Sequence, residues 1–326
     1  MKKLLKILGV LLLLIVLTVG GAIAYVSFAL PNVAAPADLR VDLTPERIER
    51  GRYLANSVCV CMDCHAQRDW DLFAAPPKVE TMGAGGEKFD RTMNFPGEFY
   101  SRNITPFALK DWSDGEIYRA ITSGVSKDGH PFFPVMPYPN YNQLATEDVY
   151  SLIAYLRSLE PIASEPYPAS ELDFPVNLIM RTVPQPANPR PLPKPTDPSY
   201  GEYLTNAASC IECHTRMEKG ERLGEPFAGG FAFTFPNGAT LRSPNITPHE
   251  TGIGNWSKQQ FIDRFKMYAD SSFVPHRINW EKAEFQTVMP WVMYATMTDE
   301  DLGAIYDYLR KLPPVDNSVV KWETPG

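Results

Sequence analysis

Cysteine is scarce in this chain, five in 326 residues, and none precedes Cys59, which excludes lipid attachment near the end of the N-terminal apolar segment. There is no Gly-rich phosphate loop, so nucleotide chemistry is excluded. The "AGG" runs at Ala84 and Ala228 sit in loop context and read as tight passages of backbone. Positive charge is not in excess: a net charge of -7 and a pI near 5.4 argue against a nucleic-acid partner. No alternating apolar–polar run is long enough to suggest a sheet, which leaves an all-α class. What remains, 44% hydrophobic and 21% charged residues, describes a globular protein long enough for two domains.

The longest apolar run opens the chain. Lys2, Lys3 and Lys6 precede a stretch from Ile7 to Leu30 that is long enough to cross a bilayer as a helix. A cleavable signal has a shorter apolar core, usually about 7 to 15 residues. Residues 1–30 are therefore expected to form a transmembrane anchor or signal-anchor in the cytoplasmic (inner) membrane. The basic flank stays cytoplasmic, and everything after Leu30 lies on the periplasmic side. Ala22-Ile23-Ala24 is a competing small-x-small cleavage site.

Four of the five cysteines fall in two Cys-x-x-Cys-His motifs, Cys61, Cys64, His65 and Cys210, Cys213, His214. Cysteines three apart on a helical turn share a face, with the histidine one position further round. Two thiols can then add to the two vinyl groups of one haem while the histidine reaches the iron. The motif reads as c-type haem attachment, and two copies predict two covalently bound haem c groups. Competing readings are a four-thiolate zinc site or disulfides, neither of which requires a histidine after each pair. Cys59 has no counterpart in the second cluster and is expected to be a buried free thiol.

The clusters are part of a larger duplication. "GRYLANSVCVCMDCH" at Gly51 answers to "GEYLTNAASCIECH" at Gly201. "AGGEKF" then matches "AGGFAF", and "NITP" at Asn103 matches "NITP" at Asn245. "DWSDGE" matches "NWSKQQ", "MPY" at Met136 matches "MPW" at Met289, and "AYLRSLEPI" matches "DYLRKLPPV". A period of about 150 residues is domain-sized. The expected organisation is a first domain over 41–160, a Pro-rich connector over 161–197 that wraps or spaces the domains, and a second domain over 198–316.

Thr44-Pro45 and Asp197-Pro198 predict capped helix starts leading into the two clusters. Ser113 with Glu116 and Ser257 with Gln260 predict capping boxes. The last helix of each domain starts near Thr146 or Thr298, with one apolar face from Val149, Leu152, Ile153, Leu156 and from Leu302, Ile305, Tyr306, Leu309. Tyr53 and Tyr203 are expected to meet Tyr155 and Tyr308 where these helices cross. Met136 and Met289, each stiffened by the Pro that follows, are expected to be the second axial ligands of the irons opposite His65 and His214. Their competitors are His130 in the first domain and His276, Met293 or Met297 in the second. Trp112 and Trp256 are candidate haem-propionate donors or core aromatics, and Asn103 and Asn245 candidate loop-ordering residues.

The chain resembles the diheme class I c-type cytochromes, close in motif order to the cytochrome c subunits of membrane-bound alcohol and gluconate dehydrogenases. The likeness rests on the two CxxCH motifs, both "NITP...W" segments, "MPYPNY", "MPW" and the "YLR.L.P" helices, and covers nearly all of Val41 to Val315. The resemblance implies two tandem class I cytochrome c domains. It also implies electron transfer from a periplasmic dehydrogenase or quinol-oxidising complex to a downstream cytochrome or terminal oxidase. An electron carrier or electron-transfer subunit is expected rather than a catalyst acting alone. The alternatives are a diheme cytochrome c peroxidase, which needs an open iron position and acid/base groups above it, and a thiosulfate-oxidising diheme enzyme, whose catalytic haem takes a Cys ligand.

Overall fold

The computed structural model describes residues 1–93, 95–218 and 220–325. Helix α1 (Lys2–Ala29) is exposed over most of its length: among its residues only Val26 and Ser27 are even partly covered. The first half then runs through α2 (Pro45–Tyr53), which continues by a π-helical turn, Leu54–Val58, into α3 (Cys61–Cys64). Strands β1 (Lys88–Phe89) and β2 (Gly97–Tyr100) follow, then α4 (Pro106–Leu109), α5 (Asp114–Ser123), α6 (Tyr138–Tyr141) and α7 (Thr146–Ser158). The connector carries β3 (Glu171–Leu172) and α8 (Val176–Ile179). The second half has α9 (Tyr200–Ala207), α10 (Cys210–Cys213), a hairpin of β4 (Met217–Glu218) and β5 (Glu221–Arg222), then β6 (Ala232–Thr234) and β7 (Thr240–Arg242). It closes with α11 (Lys258–Lys266), α12 (Trp291–Tyr294), α13 (Asp299–Leu309) and β8 (Trp322–Glu323).

Four helices, α2, α5, α11 and α13, begin where a side chain satisfies a free N–H group. The Thr44 hydroxyl accepts from the Arg47 N–H at 3.3 Å ahead of Pro45, and both expected capping boxes are formed. The second expected start is misplaced. α9 begins at Tyr200 without a side-chain cap, and the Asp197 carboxylate instead accepts the Lys194 N–H at 2.8 Å, closing a turn in the connector.

In each half the first helix crosses the last, α2 on α7 and α9 on α13. A glycine allows the close approach: a Cβ on Gly51 would lie 1.9 Å from the Ser151 carbonyl oxygen, and one on Gly201 2.0 Å from that of Ala304. The apolar faces of α7 and α13 are buried as expected at Val149, Leu152, Ile153, Leu156, Leu302, Ile305 and Leu309.

The all-α expectation holds only for the helical framework. Each half adds a three-stranded antiparallel sheet, in the orders β1-β2-β3 and β6-β7-β8, and β4 and β5 form a two-stranded hairpin. The registers set Phe89 against Phe99, Gly97 against Leu172, Phe233 against Leu241, and Leu241 against Trp322. In both halves the third strand comes from the chain after the last helix. Strands of two to four residues are too short to show an alternating pattern. The connector wraps rather than spaces: Arg102 donates to the Tyr167 and Pro168 carbonyls, and Tyr167 stacks on Tyr100 at 6.2 Å.

Candidate functional site

Each Cys-x-x-Cys pair forms a single helical turn that starts from a residue in the left-handed region, Val60 at φ 46°, ψ 39° and Ser209 at φ 54°, ψ 33°. For β-branched Val60 that conformation costs about 1–3 kcal/mol, so the surroundings must hold the turn in place. A tyrosine does so in both halves. Tyr141 donates to the Cys59 carbonyl at 2.8 Å and Tyr294 to the Ala208 carbonyl at 2.9 Å, each to the residue before the left-handed one. Burial pushes both phenols well up, so they remain donors. The four motif thiols are free. Burial raises those of Cys61, Cys64 and Cys210 to about 12 and that of Cys213, the most open, to about 11. Cys59 is buried in the core, as expected, and burial holds its thiol well above its usual value.

The two histidines are seated identically. His65 Nδ1 lies 2.7 Å from the Arg102 carbonyl, and His214 Nδ1 lies 2.9 Å from that of Pro244. A carbonyl only accepts, so Nδ1 carries the proton and Nε2 keeps its lone pair for a metal. Burial lowers the pKa of both rings, with the carbonyl bond opposing it, and so favours the neutral, ligating form. Each carbonyl belongs to the residue before the Asn of "NITP". The Asn103 side chain accepts from the Thr105 N–H at 2.9 Å and hydroxyl at 2.7 Å and donates to the Ile162 carbonyl at 2.8 Å. Asn245 repeats this with Thr247, at 2.9 and 2.8 Å, and with the Val315 carbonyl at 2.8 Å. The "AGG" glycines complete the arrangement. Gly85 and Gly229 have φ of +77°, donate their N–H to the His65 and His214 carbonyls, and leave no room for a Cβ against Arg102 or Pro244. The loop-ordering role expected of the asparagines is therefore a positioning role for the histidines.

Met136 and Met289 are half-buried against the core, each followed by a Pro that caps a one-turn helix, α6 or α12. In both loops the methionine carbonyl accepts from the N–H two residues on, at 2.7 and 2.8 Å. The competing residues sit differently. His130 is exposed, Met293 and Met297 belong to the packed core, and His276 stacks on Phe73 at 5.2 Å with its ring largely exposed. Beside Met136, Tyr138 is buried and its hydroxyl has no partner among the described residues.

The sequence reading misplaced the tyrosines of the first helices. Tyr155 does meet that helix, through Asn56 at 3.0 Å, but the Tyr53 and Tyr203 hydroxyls reach into the opposite half. Tyr53 donates to Asp301 at 2.6 Å and accepts from the Thr298 N–H at 3.1 Å. Tyr203 donates to Asp148 at 2.7 Å and accepts from the Ala145 N–H at 3.1 Å. Tyr200 adds a bond to Asp301 at 2.8 Å, and Arg50 grips Asp148 with two at 2.9 Å. Both carboxylates are buried. A second contact joins the loop after His65 to the strap before Met289. Fully buried Gln286 bonds the backbone of Ala74 and Leu72, and Arg68 reaches from beside Asp63 to the Val288 carbonyl.

These residues suit haem c: paired neutral thiols on one turn, an imidazole with Nε2 free, and a proline-stiffened thioether loop in each half. They suit zinc poorly, since among the described residues no three His, Cys, Asp or Glu side chains are grouped as a metal site. Residues 199–313 match the family model for cytochrome c. The chain carries a cytochrome c domain. This family binds haem c covalently, which fits the second cluster directly. The cytochrome c subunit of the quinone alcohol dehydrogenase of Komagataeibacter europaeus is 29% identical over 83% of this chain and 57% of its own length. The fructose dehydrogenase cytochrome subunit of Gluconobacter japonicus is 31% identical over 82% and 52%. A diheme cytochrome c-type protein of Cereibacter sphaeroides is 29% identical over 78% and 83%. The chain thus spans about half the length of the dehydrogenase subunits it matches.

Proposed function

We propose that this cytochrome is a membrane-anchored diheme electron carrier built of two tandem class I domains, 41–160 and 198–316, on the periplasmic side of the inner membrane. One haem c would be held by Cys61, Cys64, His65 and Met136, the other by Cys210, Cys213, His214 and Met289. Electrons pass from a periplasmic dehydrogenase or quinol-oxidising complex to a downstream cytochrome or terminal oxidase, in keeping with the dehydrogenase subunits among its relatives. The observation that carries the reading is the duplicated seat of the histidine, Nδ1–H to the carbonyl before an Asn-locked turn, because it fixes an Nε2 donor beside two free thiols twice over.

Haem c held there would supply reversible one-electron iron chemistry, at a potential raised by pairing an imidazole with a thioether. The protein's part is to keep geometry constant through the redox cycle. The Arg102 and Pro244 carbonyls hold the imidazoles in one tautomer and one orientation and increase their basicity. The tyrosine latches hold the thiol turns, and the Tyr–Asp seam holds the two halves together. Cys59, a buried and protonated thiol whose carbonyl is latched by Tyr141, gives no support to a thiosulfate-oxidising site.

A redox titration of the purified protein with near-infrared spectra tests the assignment. Two one-electron centres, each with the charge-transfer band of a Met–iron bond, and pigment that survives acid-acetone extraction are expected. A high-spin spectrum at either haem, with rapid peroxide turnover, would favour the peroxidase alternative.

A further inference from the structure

The proline-rich connector contains one apolar turn that the haem chemistry does not use. Phe174 leads through Pro175 into the short helix α8, with Phe174 76% and Ile179 50% exposed. This turn packs against the C-terminal end of α1, and the neighbouring Arg181 guanidinium donates to the carbonyl of Leu30, the last residue of the apolar run, at 2.8 Å. Val26 and Ser27, the two partly covered positions of α1, lie in that last stretch.

Depth follows from helix geometry. If the charged flank ending at Lys6 marks one membrane face, the hydrocarbon core is crossed in about 20 residues and ends near Val26. Tyr25 then falls at the outer interface, where aromatic rings concentrate. The α8 turn sits at that same level, with two large apolar side chains outward and a cation, Arg181, within headgroup reach. Exposed apolar side chains occur elsewhere on the surface, but this pair stands beside the exit of the apolar helix, where the boundary between headgroups and acyl chains would cover it.

We infer that the Phe174–Ile179 turn is a second membrane contact, seated in the lipid headgroup–acyl boundary beside the exit of α1. It sets the orientation of the domains over the bilayer. This rests on the retained-anchor reading above, and the test separates the two. The full chain, carrying its haem complement, is reconstituted in nanodiscs of phosphatidylethanolamine and phosphatidylglycerol with a nitroxide at Phe174→Cys or, separately, at Leu14→Cys; Cys59 is buried and escapes the label. Collision rates with oxygen and with a water-soluble nickel chelate are then measured. Expected is an oxygen-favouring ratio at both positions, deepest at Leu14. Oxygen-favouring behaviour at Leu14 with chelate-favouring behaviour at Phe174 overturns the contact and leaves the anchor. A Leu14 label lost by cleavage or facing water overturns the anchor, and the contact with it.

Discussion

The reciprocal Tyr–Asp seam makes a quantitative claim that two conservative substitutions can test. Tyr53→Phe removes one charge-assisted hydrogen bond, worth about 1.5–3 kcal/mol, from a buried carboxylate that keeps its bond to Tyr200. The Thr298 N–H it also frees is exposed, so water replaces that partner at small cost. Tyr203→Phe removes the equivalent bond to Asp148, but the freed Ala145 N–H is buried. An unsatisfied buried donor costs about 1–3 kcal/mol more, which makes Tyr203→Phe the more damaging of two chemically identical changes. The assay is urea unfolding of the detergent-solubilised full chain, followed by tryptophan fluorescence and by the haem absorbance of each variant. Combining Tyr53→Phe with Asp301→Asn should give a coupling of about 1 kcal/mol or more, because the two residues share one bond across the seam. Zero coupling, or a Tyr203→Phe variant within about 0.5 kcal/mol of the parent, would refute the claim that these bonds join the halves.

Three further outcomes follow from the same structure. Gly201→Ala places a methyl 2.0 Å from the Ala304 carbonyl oxygen and should lower stability by about 1–3 kcal/mol or more by forcing α9 from α13, read as a fall in the urea midpoint. Asn245→Ala leaves the buried Thr247 N–H without a partner and the Thr247 hydroxyl hydrogen and Val315 carbonyl only their mutual bond at 3.4 Å, and should cost about 1–3 kcal/mol while loosening the His214 seat, visible as a broadened Soret band. Met289→Leu should abolish one of two near-infrared bands and lower the potential of one haem in a redox titration, leaving the other unchanged.

The candidate site residues stand out in the sequence because their chemistry is local. Two thiols, an imidazole and a Pro-stiffened thioether announce themselves by residue type and spacing, and repetition of the whole order multiplies the signal. Capping boxes were legible for the same reason, since a Ser and the Glu or Gln three residues on act within one turn. What went unread depends on contacts between segments distant in sequence. Nothing within "YLAN" or "YLTN" says that the phenol of Tyr53 passes Tyr155 and finds Asp301, 248 residues away. The only available signal was the recurrence of an Asp, Asp148 and Asp301, near the start of each last helix, where a carboxylate also suits the helix dipole and so attracts no attention. The "NITP" repeat suggested turn chemistry, yet its consequence lies one residue earlier, in a carbonyl that any amino acid provides. Arg102 and Pro244 share no side-chain property, and they seat the two histidines equally well because the interaction uses only backbone. A duplicated sequence therefore marks more than the residues it repeats: the positions that differ between copies can still be equivalent where the main chain does the work.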